Sequence, residues 1–138
     1  MKLGGSIRTF SNEIREALPG QMEQIIKGIT DAYHAGYEFC FEKGFSSVIN
    51  NELLTQNVEA LLSGHFGEDS IIHIDPRMPS EDFSVYAGLR PGCFIELGAM
   101  NPEKHCNMPH HNCGYRLDED ALAYGAEYFF QLIKDRLK

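Results

Sequence analysis

Tyr37, Phe39 and Phe41 alternate with Glu38, Cys40 and Glu42. This two-residue period puts aromatic rings on one side of an extended chain and polar groups on the other, the pattern of a half-exposed strand. It lies between segments whose apolar residues recur at helical spacing. A strand with one apolar face and a helix with one apolar stripe must each be covered by another layer. That mixture predicts an α/β chain, α+β over these residues.

The helical segments are read from caps and stripes. Ser11 or Asn12 caps the first one. Proline is best tolerated in a helix's first turn, so we expect a short turn at 12–18 and a longer helix from Pro19 to about Tyr33, closed by Gly36. Met22, Ile25, Ile26 and Ile29 share a face of it. A second helix is expected from about Asn51 to Ser63, with Leu54, Val58, Leu61 and Leu62 inward and Gly64 and Gly67 stopping it. Glu81 to Ala87 forms one or two turns. A last helix from about Asp118 to Leu137 carries the stripe Leu122, Ala126, Phe129, Ile133 and Leu137. Strands are expected at 3–10, 37–43, 70–74 and 93–97. Gly44-Phe45-Ser46-Ser47 reads as a hinge between two units, and the first unit is too small to bury its own sheet.

Length and charge narrow the partners. The 138 residues suffice for one small domain or for pieces of two. With 43% hydrophobic residues the chain is not a disordered tail. Its formal charge is −8 and its 12 Lys and Arg form no cluster, which argues against nucleic acid and an anionic membrane. An anionic substrate must therefore meet one or two placed cations. No stretch approaches the roughly 20 apolar residues of a membrane span. Met1-Lys2-Leu3-Gly4-Gly5 opens without the apolar region of a signal peptide. Cys40, Cys93, Cys106 and Cys113 then read as thiols or ligands rather than disulfides, and the cytoplasm is the expected location.

Three places could carry chemistry. His105-Cys106-Asn107-Met108-Pro109-His110-His111-Asn112-Cys113 concentrates imidazoles and thiols, the ligands zinc prefers, in a loop before the last helix. Packed or solvated side chains are the plainer reading, and no CxxC pair is present. Ser80-Glu81-Asp82 could bind a metal or hold a base, but short polar and acidic residues at a helix start are ordinarily caps. Arg8 could clamp a carboxylate with its planar fork, or be a solvated surface group.

Taken in order, Gly5-Ser6-Ile7-Arg8-Thr9-Phe10, Ser80-Glu81-Asp82-Phe83, Pro91-Gly92-Cys93-Phe94 with Leu97-Gly98-Ala99, and His110-His111-Asn112 leading to Asp118-Glu119-Asp120-Ala121-Leu122 resemble the amidohydrolases that cut N-acyl amino acids. These include hippurate hydrolases, aminoacylases and auxin-conjugate hydrolases of the aminoacylase/carboxypeptidase group of metallopeptidases. The resemblance implies the second half of a lid (a dimerisation-type domain) at 1–45, and the C-terminal part of a catalytic domain at 46–138. It implies that His111 is a metal ligand, that Arg8 faces a substrate carboxylate, and that Ser80 and Glu81 lie in a structural or substrate-facing loop. The implied cofactor is a divalent metal: zinc, manganese or cobalt. Cys113 stands where the family usually has Pro, Pro79 where it has Gly, and Ser46 and Ser47 where prolines are common.

The family's other metal ligands and its general-base glutamate lie in an N-terminal part, and nothing in this chain supplies them. Activity therefore requires the missing half, and the exposed surfaces it would cover predict self-association. The alternative is a small noncatalytic zinc-binding or interaction module built from His105, Cys106, His110, His111 and Cys113.

Overall fold

The structure, a computed structural model, describes residues 1–137. Its helices are α1 (Asn12–Ala32), α2 (Glu52–Phe66), α3 (Phe83–Leu89) and α4 (Asp120–Arg136), with 3-10 turns at Glu68–Ser70 and Pro102–Lys104. They fall into two compact units. One comprises Met1–Asn50 and Ile74–Gly92, the other Asn51–His73 and the chain from Cys93 onward. The sequence places its division after residue 45. The first break here follows Asn50, and residues 74–92 group with the N-terminal unit.

The helical part of the expectation holds and the strands do not form. Among the described residues the strand-like pairing is an isolated bridge, Asn101 with Cys106. Residues 3–10, 37–43, 71–74 and 93–97 are irregular. Alternation selects an extended conformation, but a strand exists only when a second one accepts its backbone hydrogen bonds. In the first unit the segment after α1 instead returns along that helix. Tyr37 Oη donates to Glu23 at 3.4 Å. Lys43 pairs with Glu16, and the Arg15 guanidinium donates to the Gly44 carbonyl. Ser47 Oγ then reaches the Thr9 carbonyl at 2.8 Å.

α1 is one helix of 21 residues, not a turn followed by a helix. Ser11 caps it, its hydroxyl accepting from Ile14 N–H at 3.3 Å. Pro19 sits inside, where it cannot donate to the Arg15 carbonyl, a loss worth about 3 kcal/mol in a helix interior. The helix ends before Gly36. Ala35 N–H reaches the Thr30 carbonyl at 2.9 Å and His34 N–H the Asp31 carbonyl at 3.2 Å. His34, at φ 52°, takes the left-handed position that closes such a motif.

The second unit has a small core of Val58, Leu62, Cys106 and Ala121. Asn51 caps α2 through Oδ1, accepting from Leu54 N–H at 2.9 Å. Val58 and Leu62 point inward as their spacing requires. Gly64 lies within α2, and Gly67, at φ 94°, ends it. The last helix turns the other way from expectation. Leu122, Phe129 and Ile133 are each about 60% exposed, while Ala121 is 5% exposed. The inward face runs through Ala121, Gly125, Tyr128 and Leu132. α4 carries two apolar stripes, and the one with small residues allows the closer approach: a Cβ at Gly125 would lie 3.2 Å from Leu97 Cδ2. α4 meets α2 through His65 Nε2 and Glu127 Oε1, 3.0 Å apart, and through the Phe66 and Tyr124 rings.

Candidate functional site

The His/Cys loop lies within the second unit, and its ends are tied together at its base. Asn101 N–H donates to the Cys106 carbonyl at 2.8 Å, and Cys106 N–H donates back to the Asn101 carbonyl at 2.9 Å. Between them Pro102 starts the 3-10 turn, with Asn101 Oδ1 accepting from Glu103 N–H at 3.1 Å. At the far end Asp118 N–H donates to the Ala99 carbonyl at 3.0 Å. Asn101 Nδ2 donates to Asp118 Oδ2 at 2.6 Å, and Lys104 Nζ to Asp118 Oδ1 at 2.7 Å. Lys104 also reaches Asp120 Oδ2 at 2.5 Å. Asp118 Oδ1 in turn accepts from Asp120 N–H, which ties the loop base to the first turn of α4.

Charge follows this geometry. The hydrogen bond from Lys104, then that from Asn101, holds the Asp118 carboxyl below its ordinary range. Asp118, then Asp120, holds the Lys104 ammonium protonated well above its ordinary range.

Within the loop the candidate ligands do different things. His105 ends the 3-10 turn at φ 58°. Cys106 is buried, its thiol donating to the Lys104 carbonyl at 3.4 Å. The His110 ring stands edge-on to Tyr115 with centroids 4.9 Å apart. Cys113 is exposed. His111 is exposed and sits at φ 65° in the turn. A left-handed backbone costs an L-residue about 1–2 kcal/mol, and such strain clusters at functional positions. The turn is held by Asn112 N–H to the Pro109 carbonyl at 3.3 Å and Tyr115 N–H to the Asn112 carbonyl at 3.0 Å. Asn112 Oδ1 accepts from Gly114 N–H at 2.8 Å.

Among the described residues no three of His, Cys, Asp and Glu come together to hold a metal ion. The side chains of 105–113 are neighbours in sequence without converging. Among the described residues a divalent ion therefore finds fewer than three such donors in one place.

The remaining candidates lie in the first unit. Arg8 and Ser80 are exposed. Glu81 precedes Asp82, the N-cap of α3: its carboxylate accepts from Phe83 N–H at 3.4 Å, and its carbonyl accepts from Ser84 N–H. Sequence reasoning missed the brace of Asn101, Lys104 and Asp118. Its signals were Asn101-Pro102, which favours a turn, and Asp118 two residues ahead of α4.

No helix among the described residues is long and apolar enough to cross a membrane. The family described as Peptidase family M20/M25/M40 matches residues 7–135. The N-acetylcysteine deacetylase of Bacillus subtilis is 30% identical over 131 residues, 95% of this chain and 33% of its own length. The putative amidohydrolase YhaA of the same organism is 28% identical over 123 residues, 89% of this chain and 31% of its own. The N-acyl-L-amino acid amidohydrolase of Geobacillus stearothermophilus is 46% identical over 50 residues, 36% of this chain and 14% of its own. The chain thus spans about a third of the length of the first two. No solved structure matches.

Proposed function

The chain belongs to peptidase family M20/M25/M40, and from that premise we propose that it is the C-terminal part of a metal-dependent amidohydrolase that cleaves the amide bond of N-acyl amino acids or small peptides. The observation that carries this reading is the match over residues 7–135, which includes the braced loop with His111 at its exposed, strained turn. Relatives named for N-acetylcysteine and N-acyl-L-amino acids supply the substrate class. His111 would give one imidazole to a zinc, manganese or cobalt site. Arg8 would meet the substrate carboxylate, with Ser80 and Glu81 in a loop that borders it. Residues 1–45 would be the second half of a lid of the dimerisation type, and 46–138 the end of the catalytic domain. The cytoplasm remains the proposed location.

A single imidazole neither fixes an ion nor activates water; that takes several ligands and a base. The chain alone is therefore inactive in this reading and works only with the rest of a catalytic domain. The test is metal content together with hydrolysis of several N-acyl amino acids by the purified chain in zinc, cobalt and manganese. Substoichiometric metal and no turnover is the expected result. One tightly held zinc, weakened by Cys106→Ser or Cys113→Ser, would favour a local zinc-binding module. The described geometry does not favour that module, because Cys106 is buried against Lys104 and no three donors converge.

A further inference from the structure

We infer that Asp118, held by Lys104 and Asn101, is a positioning residue that sets the backbone of His111 from seven residues away. The inference deepens the reading of His111 as a ligand and rests on it for its functional meaning; its structural content stands by itself. A loop whose two ends are fixed to each other has far fewer conformations than one tethered at a single end. Here Asp118 closes the base. Its N–H is on Ala99, one carboxylate oxygen takes Asn101 Nδ2 at 2.6 Å, and the other takes Lys104 Nζ at 2.7 Å. Asn101 is in turn locked to Cys106 by a reciprocal pair of backbone bonds. Residues 107–117 are left to span a fixed gap, and the turn at 109–115 completes the path.

His111 pays for this path with a left-handed φ of 65°. Glycine would take that conformation without strain. With a side chain there, the frame holds the backbone against its preference. A helix cap alone would need only the Asp118 bond to Asp120 N–H. The bonds to Asn101 and Lys104 reach across the loop base instead, although Lys104 also touches Asp120 in the first turn of α4.

The experiment is NMR on the full chain and on Asp118→Asn, Lys104→Met and Asn101→Ala. One readout is the intraresidue amide–Hα cross-peak of His111, which is strong at positive φ. The other is exchange of the Asn112, Gly114 and Tyr115 amides against those of α4. The expected result is loss of the positive-φ signature and at least about tenfold faster exchange in the loop in Lys104→Met and Asn101→Ala, with the α4 amides beyond its first turn unchanged. An unchanged His111 signature in both variants overturns the proposal, as does parallel loss of protection in loop and α4. His111→Ala tests the ligand reading separately. If it leaves metal binding of the reassembled enzyme intact while the loop responds as expected, the brace stands and the ligand assignment falls.

Discussion

Lys104 Nζ lies 2.7 Å from Asp118 Oδ1, joining the 3-10 turn that opens the His/Cys loop to the residue that closes it. The pair has a defined pH window. Asp118's carboxyl is held below its ordinary value of 3.8, so its contribution is complete above that value and lost as pH falls through the lower folded one. Lys104 is held above its ordinary 10.5, so its contribution is complete below that value and lost as pH rises through the higher folded one. The loop amides should keep constant protection across the neutral range and lose it under acid before the α4 amides do. Exchange measured as a function of pH checks this.

His34 closes α1 in a left-handed conformation, at φ 52°. Replacing it with glycine removes the Cβ strain and adds some unfolded-state entropy. The net expectation for His34→Gly is stabilisation by about 0.5–1 kcal/mol. Thermal or urea melts followed by circular dichroism measure it, and an unchanged midpoint would contradict the assignment of the motif.

Leu62 is 7% exposed in a core with few other buried side chains. Leu62→Ala should cost about 2–4 kcal/mol and unfold most of the second unit. Leu53 is 68% exposed on the same helix, and Leu53→Ala should stay within about 0.5 kcal/mol. Paired melts of the two variants check the face of α2 directly.

Ser84 is 3% exposed, and its hydroxyl has no hydrogen-bond partner among the described residues. A buried unsatisfied hydroxyl costs about 1–3 kcal/mol. Ser84→Ala should therefore be neutral or stabilise by up to about 1 kcal/mol. A clear loss of stability would show that the hydroxyl has a partner.

The exposed stripe of Leu122, Phe129 and Ile133 on α4, continued by Leu137 at its C-cap, predicts association of the isolated chain. Phe129→Glu with Ile133→Glu should raise the monomer fraction in sedimentation velocity while helix content stays unchanged. Equal association by both proteins would place the sticky surface elsewhere.

Sequence patterns give the helices and their caps because those are local. Ser11 caps α1 as its type requires, α2 begins beside the expected Asn51, and Val58 and Leu62 face inward. What failed depends on partners distant in the chain. The alternation at 37–43 is real, yet no strand lies beside it, and the segment runs along α1 instead. On α4 a stripe of large residues competes with a stripe of small ones. Gly125 against Leu97 decides between them, through a contact that a helical wheel does not show. The loop's ligand types were legible in the sequence. That Cys106 would be buried and His111 exposed was not, because the Asn101–Cys106 bridge and the Asp118 brace are contacts between residues 5 and 17 apart.

The proposed function has His111 serve a metal site completed by polypeptide from the rest of a family member. It is tested by mixing this chain with a separate polypeptide carrying the N-terminal two thirds of a related amidohydrolase, and following release of free amino acid from an N-acyl amino acid. The account predicts no turnover by either piece, chelator-sensitive turnover by the mixture, and at least about a hundredfold loss with His111→Ala, the scale expected when a directly acting group is removed. Chelator-sensitive turnover by this chain alone, or full turnover by the mixture carrying His111→Ala, would contradict it.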